Sequence, residues 1–244
     1  MPTKTIVAID KPEHAGVVQK LYHHTEMFKI GLELATHVSN HAYGHQSLLQ
    51  SVVSHPWLRV KEIFWDEKFR GIGRTVLIAV QNVIARGPQI GMISVSGENA
   101  AEGLREVAKL CRDHGVLCMG TTVLSDMSED DCHLTYNKNT EEAAFALAVK
   151  LKECGLDGLI CSGVEFPALH REAIFASGFR SLVVGLRKPG DPANGQKRIS
   201  TPRKLVRNPS DFLVLGSSVT GARDPVKTLK TVRRQLHLPE HASH

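Results

Sequence analysis

The chain has 244 residues, 30 Lys and Arg against 25 Asp and Glu, a formal net charge of +5, and 42% hydrophobic residues. That length suits one barrel-sized domain or two smaller ones, and the apolar content excludes a disordered chain. No run approaches the roughly 18–20 apolar residues of a membrane helix, and the positive charge is scattered rather than blocked into an arm, which argues against a membrane or nucleic-acid partner. In chain order, residues 5–9 read as a buried strand ending at Asp10, and 12–24 as a helix with Pro12 near its first turn. Residues 27–30 are a second strand, followed by a helix from about 32 to 53. Strand 60–65 ends at Asp66 and precedes a helix over 75–85. Strand 90–95 precedes helix 100–114, and strand 116–123 precedes helix 141–154. Strand 156–161 leads to a short helix around 167–176. Strand 181–184 opens a polar loop over 186–201; strand 212–215 and helix 224–236 close the chain.

Strands separated by helices of 10–15 residues signify βαβ units and a parallel sheet. Eight such units in this length predict an α/β fold, a single-domain (βα)8 TIM barrel over residues 1–237, with a flexible tail over 238–244. An open doubly wound sheet is the competitor, weakened because no G-x-G-x-x-G follows the first strand. The five cysteines, Cys111, Cys118, Cys132, Cys154 and Cys161, form no C-x-x-C pair. Residues 1–9 are too short and too strand-like for a secretory signal. Both features predict a cytoplasmic protein with free thiols.

A barrel does its chemistry at the carboxyl ends of its strands. Ionisable groups crowd the ends of the first three: Asp10, Lys29, then Asp66 and Lys68. Two acids and two lysines facing one mouth would form an alternating charge network. Ser94, Ser96, Thr122, Ser125, Asp126, Ser162, Arg187 and Gly216 fall at the remaining strand ends.

At these residues the sequence resembles the orotidine 5′-monophosphate decarboxylase family. Ala8-Ile9-Asp10 resembles its A-L-D, and Phe28-Lys29-Ile30-Gly31 its F-K-V-G. Residues 63–76, from Ile63 through Asp66, Lys68 and Gly71 to Val76, align without a gap on V-F-L-D-L-K-F-H-D-I-P-N-T-V. Thr122-Val123-Leu124, the run 155–162, Gly185-Leu186-Arg187, Gln196-Lys197-Arg198 and Thr201-Pro202 match further motifs in the family's order.

The resemblance implies a homodimer that decarboxylates a pyrimidine nucleotide, without a cofactor or metal. It implies that Lys68 protonates the C6 carbanion, that Asp66 faces the departing carboxylate, and that Lys29 bridges the acids. It implies that Asp10 binds ribose hydroxyls, and that Thr75 contributes from the neighbouring subunit. Gln196 and Gly216 would hold the phosphate, with Arg198 or Arg187 as further partners. A fixed ammonium aimed at a developing carbanion is electrostatic preorganisation.

The departures from the family pattern fall on functional positions. The last catalytic aspartate is Gly71, and the histidine before it is Arg70. Glu67 is no substitute, because neighbouring residues on a strand point in opposite directions. Ser94-Val95-Ser96-Gly97-Glu98 stands where the family has H-A-S-G-G, and Val183-Val184 where it has T-P. Asp126 stands for the serine that reads the base edge. An ionised carboxylate only accepts, so this favours a base edge presenting donors. Ser217 stands for the phosphate-gripping arginine, whose charge it cannot replace. Three readings stay open: a divergent decarboxylase, a paralogue for another pyrimidine nucleotide or nucleoside, or a silent nucleotide-binding protein. The loop over 187–200, with Arg187, Lys188, Lys197 and Arg198, has the composition of a lid over a phosphate. His37, His41 and His45 share one helix face and read as a solvated surface rather than metal ligands.

Overall fold

The computed structural model describes residues 3–36, 62–87, 89–187, 197–201, 205 and 209–238. Eight strands run in chain order: β1 (Lys4–Ile9), β2 (Met27–Gly31), β3 (Glu62–Phe69), β4 (Ile90–Ser96), β5 (Leu117–Thr121), β6 (Gly158–Ser162), β7 (Arg180–Val184) and β8 (Phe212–Leu215). Each pairs in parallel with the next, and β1 pairs with β8, so the sheet closes into a barrel. Closure removes the open-sheet alternative.

The strand sequences explain the closure. They are rich in Ile, Val, Leu, Met and Phe and buried on both faces, as parallel strands under helices must be. Successive side chains alternate between two cores. Ile6, Met27, Phe64, Met92, Met119, Ile160, Leu182 and Phe212 fill the barrel. Val7, Phe28, Ile63, Trp65, Ile93, Leu159, Val183 and Leu213 face the helical layer. Burying each large apolar side chain contributes about 1.5–3 kcal/mol.

Among the described residues the helices are α1 (Ala15–Leu21), α2 (Leu32–Thr36), α3 (Gly73–Ile84), α4 (Ala101–Asp113), α5 (Glu129–Tyr136), α6 (Thr140–Glu153), α7 (Phe166–Arg171), α8 (Ser217–Thr220) and α9 (Pro225–Gln235). Most match the expected spans within a few residues. The first expected helix, 12–24, divides into a 3-10 turn at Pro12–His14 and α1. Two helices were not expected, α5 and α8. The signal for α5 is legible: Ser128-Glu129-Asp130-Asp131 is a capping box, with both reciprocal bonds formed. The third strand runs to Phe69 rather than stopping at Trp65, so Asp66 and Lys68 lie within it. Of the expected helix over 32–53, residues 37–53 lie outside the described residues. So do His37, His41 and His45, most of the expected lid, and the tail beyond 238. No described helix is long and apolar enough to cross a membrane.

Candidate active site

The carboxyl end of the barrel opens into a cavity of about 800 Å³. Asp10, Lys29, Asp66 and Lys68 meet at its wall. Lys29 Nζ lies 2.5 Å from Asp10 Oδ1 and 3.5 Å from Asp66 Oδ2. Lys68 Nζ donates to both Asp66 oxygens, at 3.0 and 2.9 Å. The four groups therefore alternate in sign from β1 through β2 to β3. Gly31 makes room for this: a Cβ there would stand 2.6 Å from Asp10 Oδ1 and 3.1 Å from Lys29 Nζ.

Asp66 is nearly sealed from solvent, its side chain 8% exposed. Burial alone raises a carboxyl pKa, but here the ammonium groups of Lys29 and Lys68 outweigh it and hold the carboxyl below its ordinary value. Burial pulls the Lys29 ammonium down, and the charges of Asp66 and Asp10 more than reverse that, so its pKa is raised. Both groups stay charged at neutral pH.

Ser94 on β4 completes the arrangement. It is fully buried, donates to Asp66 Oδ1 at 2.7 Å, and accepts the Lys68 backbone N–H at 2.9 Å. Lys68 holds a left-handed φ of 50°, where the β3–β4 register shifts. Such a backbone costs about 1–3 kcal/mol in a non-glycine residue and persists only when its surroundings enforce it. A register irregularity of this kind re-aims a side chain. In the sequence Ser94 falls at a strand end, with no motif that assigns it a role. Its signal is a serine at the inward position of the strand beside a charged pair.

Other expected residues separate into groups. Asp126, Gly216 and Ser217 line the cavity, as do Ser125 and Arg187. Thr75 is exposed on α3 and does not line its own chain's cavity. Gln196 lies outside the described residues. Arg198 corrects an expectation: its guanidinium does not face the cavity. It donates to the carbonyls of Met127, Val123 and Leu124 at 2.6, 3.0 and 2.8 Å, and its Nε lies 2.6 Å from Glu165 Oε1. A planar fork of donors engaged in this way acts as a structural clamp between the segments after β5 and β6.

Glu67 points away from the four-residue network, as strand alternation requires. Burial raises its pKa, partly offset by Trp65 and Arg86 on the helical side. Arg70 pairs with Glu98 at 2.6 Å, and Tyr136 donates its hydroxyl to the same carboxylate. No group of three or more candidate metal ligands occurs among the described residues.

A closed parallel barrel with alternating acids and lysines converging at its carboxyl end defines a (βα)8-barrel protein with an enzyme-like site. Residues 3–232 match the model of the Orotidine 5′-phosphate decarboxylase / HUMPS family, and the chain belongs to that family. It is 30% identical to orotidine 5′-phosphate decarboxylase of Bacillus cereus (strain Q1), over 96% of this chain and 98% of that protein. It is equally similar, at 30%, to the enzyme of that name from Erythrobacter litoralis, over 97% and 100%. Among solved structures, orotidine 5′-phosphate decarboxylase from Lactobacillus acidophilus superposes with a TM-score of 0.71 at 20% identity, covering 96% of this chain and 98% of that one. The Methanocaldococcus jannaschii enzyme complexed with inhibitor BMP gives 0.73 at 14%, covering 97% and 99%. These superpositions show the fold.

Proposed function

We propose that this chain is a cofactor-free decarboxylase of orotidine 5′-monophosphate. The observation that carries the reading is the alternating chain Asp10–Lys29–Asp66–Lys68 at the barrel mouth. Curated relatives at 30% identity over nearly the whole length support it. In the proposed reaction the bond from C6 to the carboxylate breaks and carbon dioxide leaves. The electron pair stays on C6, and Lys68 Nζ delivers a proton to it. The neutral amine then regains a proton from solvent. Asp66 holds the Lys68 ammonium in place and faces the departing carboxylate. Lys29 neutralises Asp66 from the other side. The gain comes from an ammonium already oriented before charge develops.

Asp10 binds the ribose hydroxyls. Gln196 and the Gly216 backbone hold the phosphate, with Arg187 rather than Arg198 as the cation on the wall. Thr75 acts from a second copy in a homodimer. Its exposure on α3, and the 81% exposure of Ile72 beside it, support that arrangement. The test is ultraviolet-monitored turnover of orotidine 5′-monophosphate, with Lys68→Ala as the blank. Turnover above the blank supports the reading, and equality with the blank sinks it.

A second reading is a different pyrimidine nucleotide or nucleoside. Asp126 on the cavity wall favours it, because an acceptor-only group suits an amino-bearing base. Ser217 at the phosphate end weakens the hold on a 5′-phosphate. Thermal shifts separate the readings, since a ligand stabilises by RT ln(1 + [L]/Kd). Cytidine 5′-monophosphate should exceed uridine 5′-monophosphate under the second reading and not under the first.

A further inference from the structure

The inward side chains at the upper level of the barrel divide it into two arcs. Lys29, Asp66 and Ser94 on β2 to β4, then Thr121 on β5, form a polar arc. Ile160, Val184, Val214 and Ala8, on β6 to β8 and β1, form an apolar one. All of these except Ser94 line the cavity. In the polar arc Asp66, Lys29 and Ser94 satisfy one another. Thr121 does not take part. It is 5% exposed and lines the cavity, while its Oγ1 is buried in the unliganded wall and makes no hydrogen bond among the described residues, so a ligand reaches it once the side chain turns about χ1. Its backbone is fixed: Gly97 N–H donates to the Thr121 carbonyl at 2.9 Å, and a Cβ at Gly97 would come within 2.7 Å of that oxygen. A buried hydroxyl without a partner costs stability, and such groups in native folds call for an explanation.

We propose that Thr121 is a substrate-binding residue whose hydroxyl donates a hydrogen bond to the carboxylate on the substrate's reacting carbon. This rests on the decarboxylase reading. A planar base packs on the apolar arc, so its charged substituent falls in the polar one, between the Lys68 ammonium and β5. Strands about 4.8 Å apart place Thr121 two steps from Asp66, at the far edge of that arc. A ligand without the carboxylate leaves the hydroxyl unpaired, so Thr121 discriminates substrate from product. Its contact is made with the bound carboxylate, so its loss is read in KM rather than kcat.

The test compares wild type, Thr121→Val and Thr121→Ser. For Thr121→Val, the KM for orotidine 5′-monophosphate rises about tenfold while kcat stays within twofold. The Ki for uridine 5′-monophosphate, which lacks the carboxylate, stays within twofold. The unliganded melting temperature rises by about 2–4 °C, because an unpaired buried hydroxyl is gone. Thr121→Ser keeps the wild-type KM. A KM and Ki that move together, or that both stay unchanged, overturn the proposal, as does a fall in melting temperature with Thr121→Val. If wild type binds both nucleotides without turnover, the decarboxylase reading fails and dissociation constants replace KM and Ki under the same criterion. Wild type that binds neither nucleotide overturns both proposals.

Discussion

At the residue scale, the site is a problem of holding charges that would otherwise leave for water. Asp66 is buried between two ammonium groups, and Ser94 fixes both its oxygen and the backbone of Lys68. Ser94→Ala is expected to lower kcat about tenfold with KM within twofold, since it frees the geometry rather than a substrate contact. An unchanged kcat in steady-state assays would remove Ser94 from the positioning role. The shifted pKa values set the pH window. The lowered Asp66 value stabilises the fold above the ordinary carboxylate range, and this is lost as pH falls through the folded value. The raised Lys29 value stabilises it below the ordinary lysine range, and this is lost as pH rises through the folded value. Between about pH 5 and pH 9 these two groups therefore leave stability flat. Denaturant midpoints of wild type and Lys29→Met test this: their difference should narrow only toward the acid end, where Asp66 in the variant, its burial no longer outweighed by Lys29, takes up a proton first. Gly71→Asp would restore the carboxylate that the family pattern has at this position, but the backbone opposes it. Among the described residues a Cβ at Gly71 would meet only Val76, at 3.7 Å, but its φ of 158° is one that glycine adopts freely, so an aspartate must first move the turn.

At the element scale, strand signals were clear because parallel barrel strands are short, apolar and β-branched. Boundaries were less clear. Strand β3 continues through Asp66, Glu67 and Lys68, because the charges on its inner face find partners on β2 and β4. No local pattern announces that. The helix α5 has almost no apolar face, only Cys132 buried, so periodicity missed it while its cap sequence announced it. That cap carries much of its local stability. Ser128→Ala is expected to cost about 1 kcal/mol and to lower the melting temperature by about 2–4 °C. No shift in a calorimetric scan would mean that Glu129, through its bonds to Thr140, holds the helix instead.

At the scale of the whole molecule, the loop before β8 is anchored to the β5 loop across the barrel mouth. The backbone N–H groups of Lys197 and Arg198 both donate to Ser125 O. The Arg198 guanidinium reaches Glu165 after β6 and three carbonyls after β5. Arg198→Met strands a buried Glu165 carboxylate and is expected to cost about 3–5 kcal/mol. Lys197→Met, which breaks only the exposed pair with Asp131, should cost less than about 1 kcal/mol. Equal denaturation midpoints for the two variants would refute the clamp.

The amino-acid sequence by itself determined the barrel and the charged residues at its first three strand ends, because both follow from short-range patterns: apolar runs, helical spacing, and the ionisable residue that ends a run. Only the tertiary structure decided what each polar group faces. It turned Arg198 away from the cavity, set Ser94 beneath Asp66, and left the buried Thr121 hydroxyl unpaired at its wall. Those outcomes depend on contacts between strands distant in sequence, where burial makes the partner of every polar group decisive.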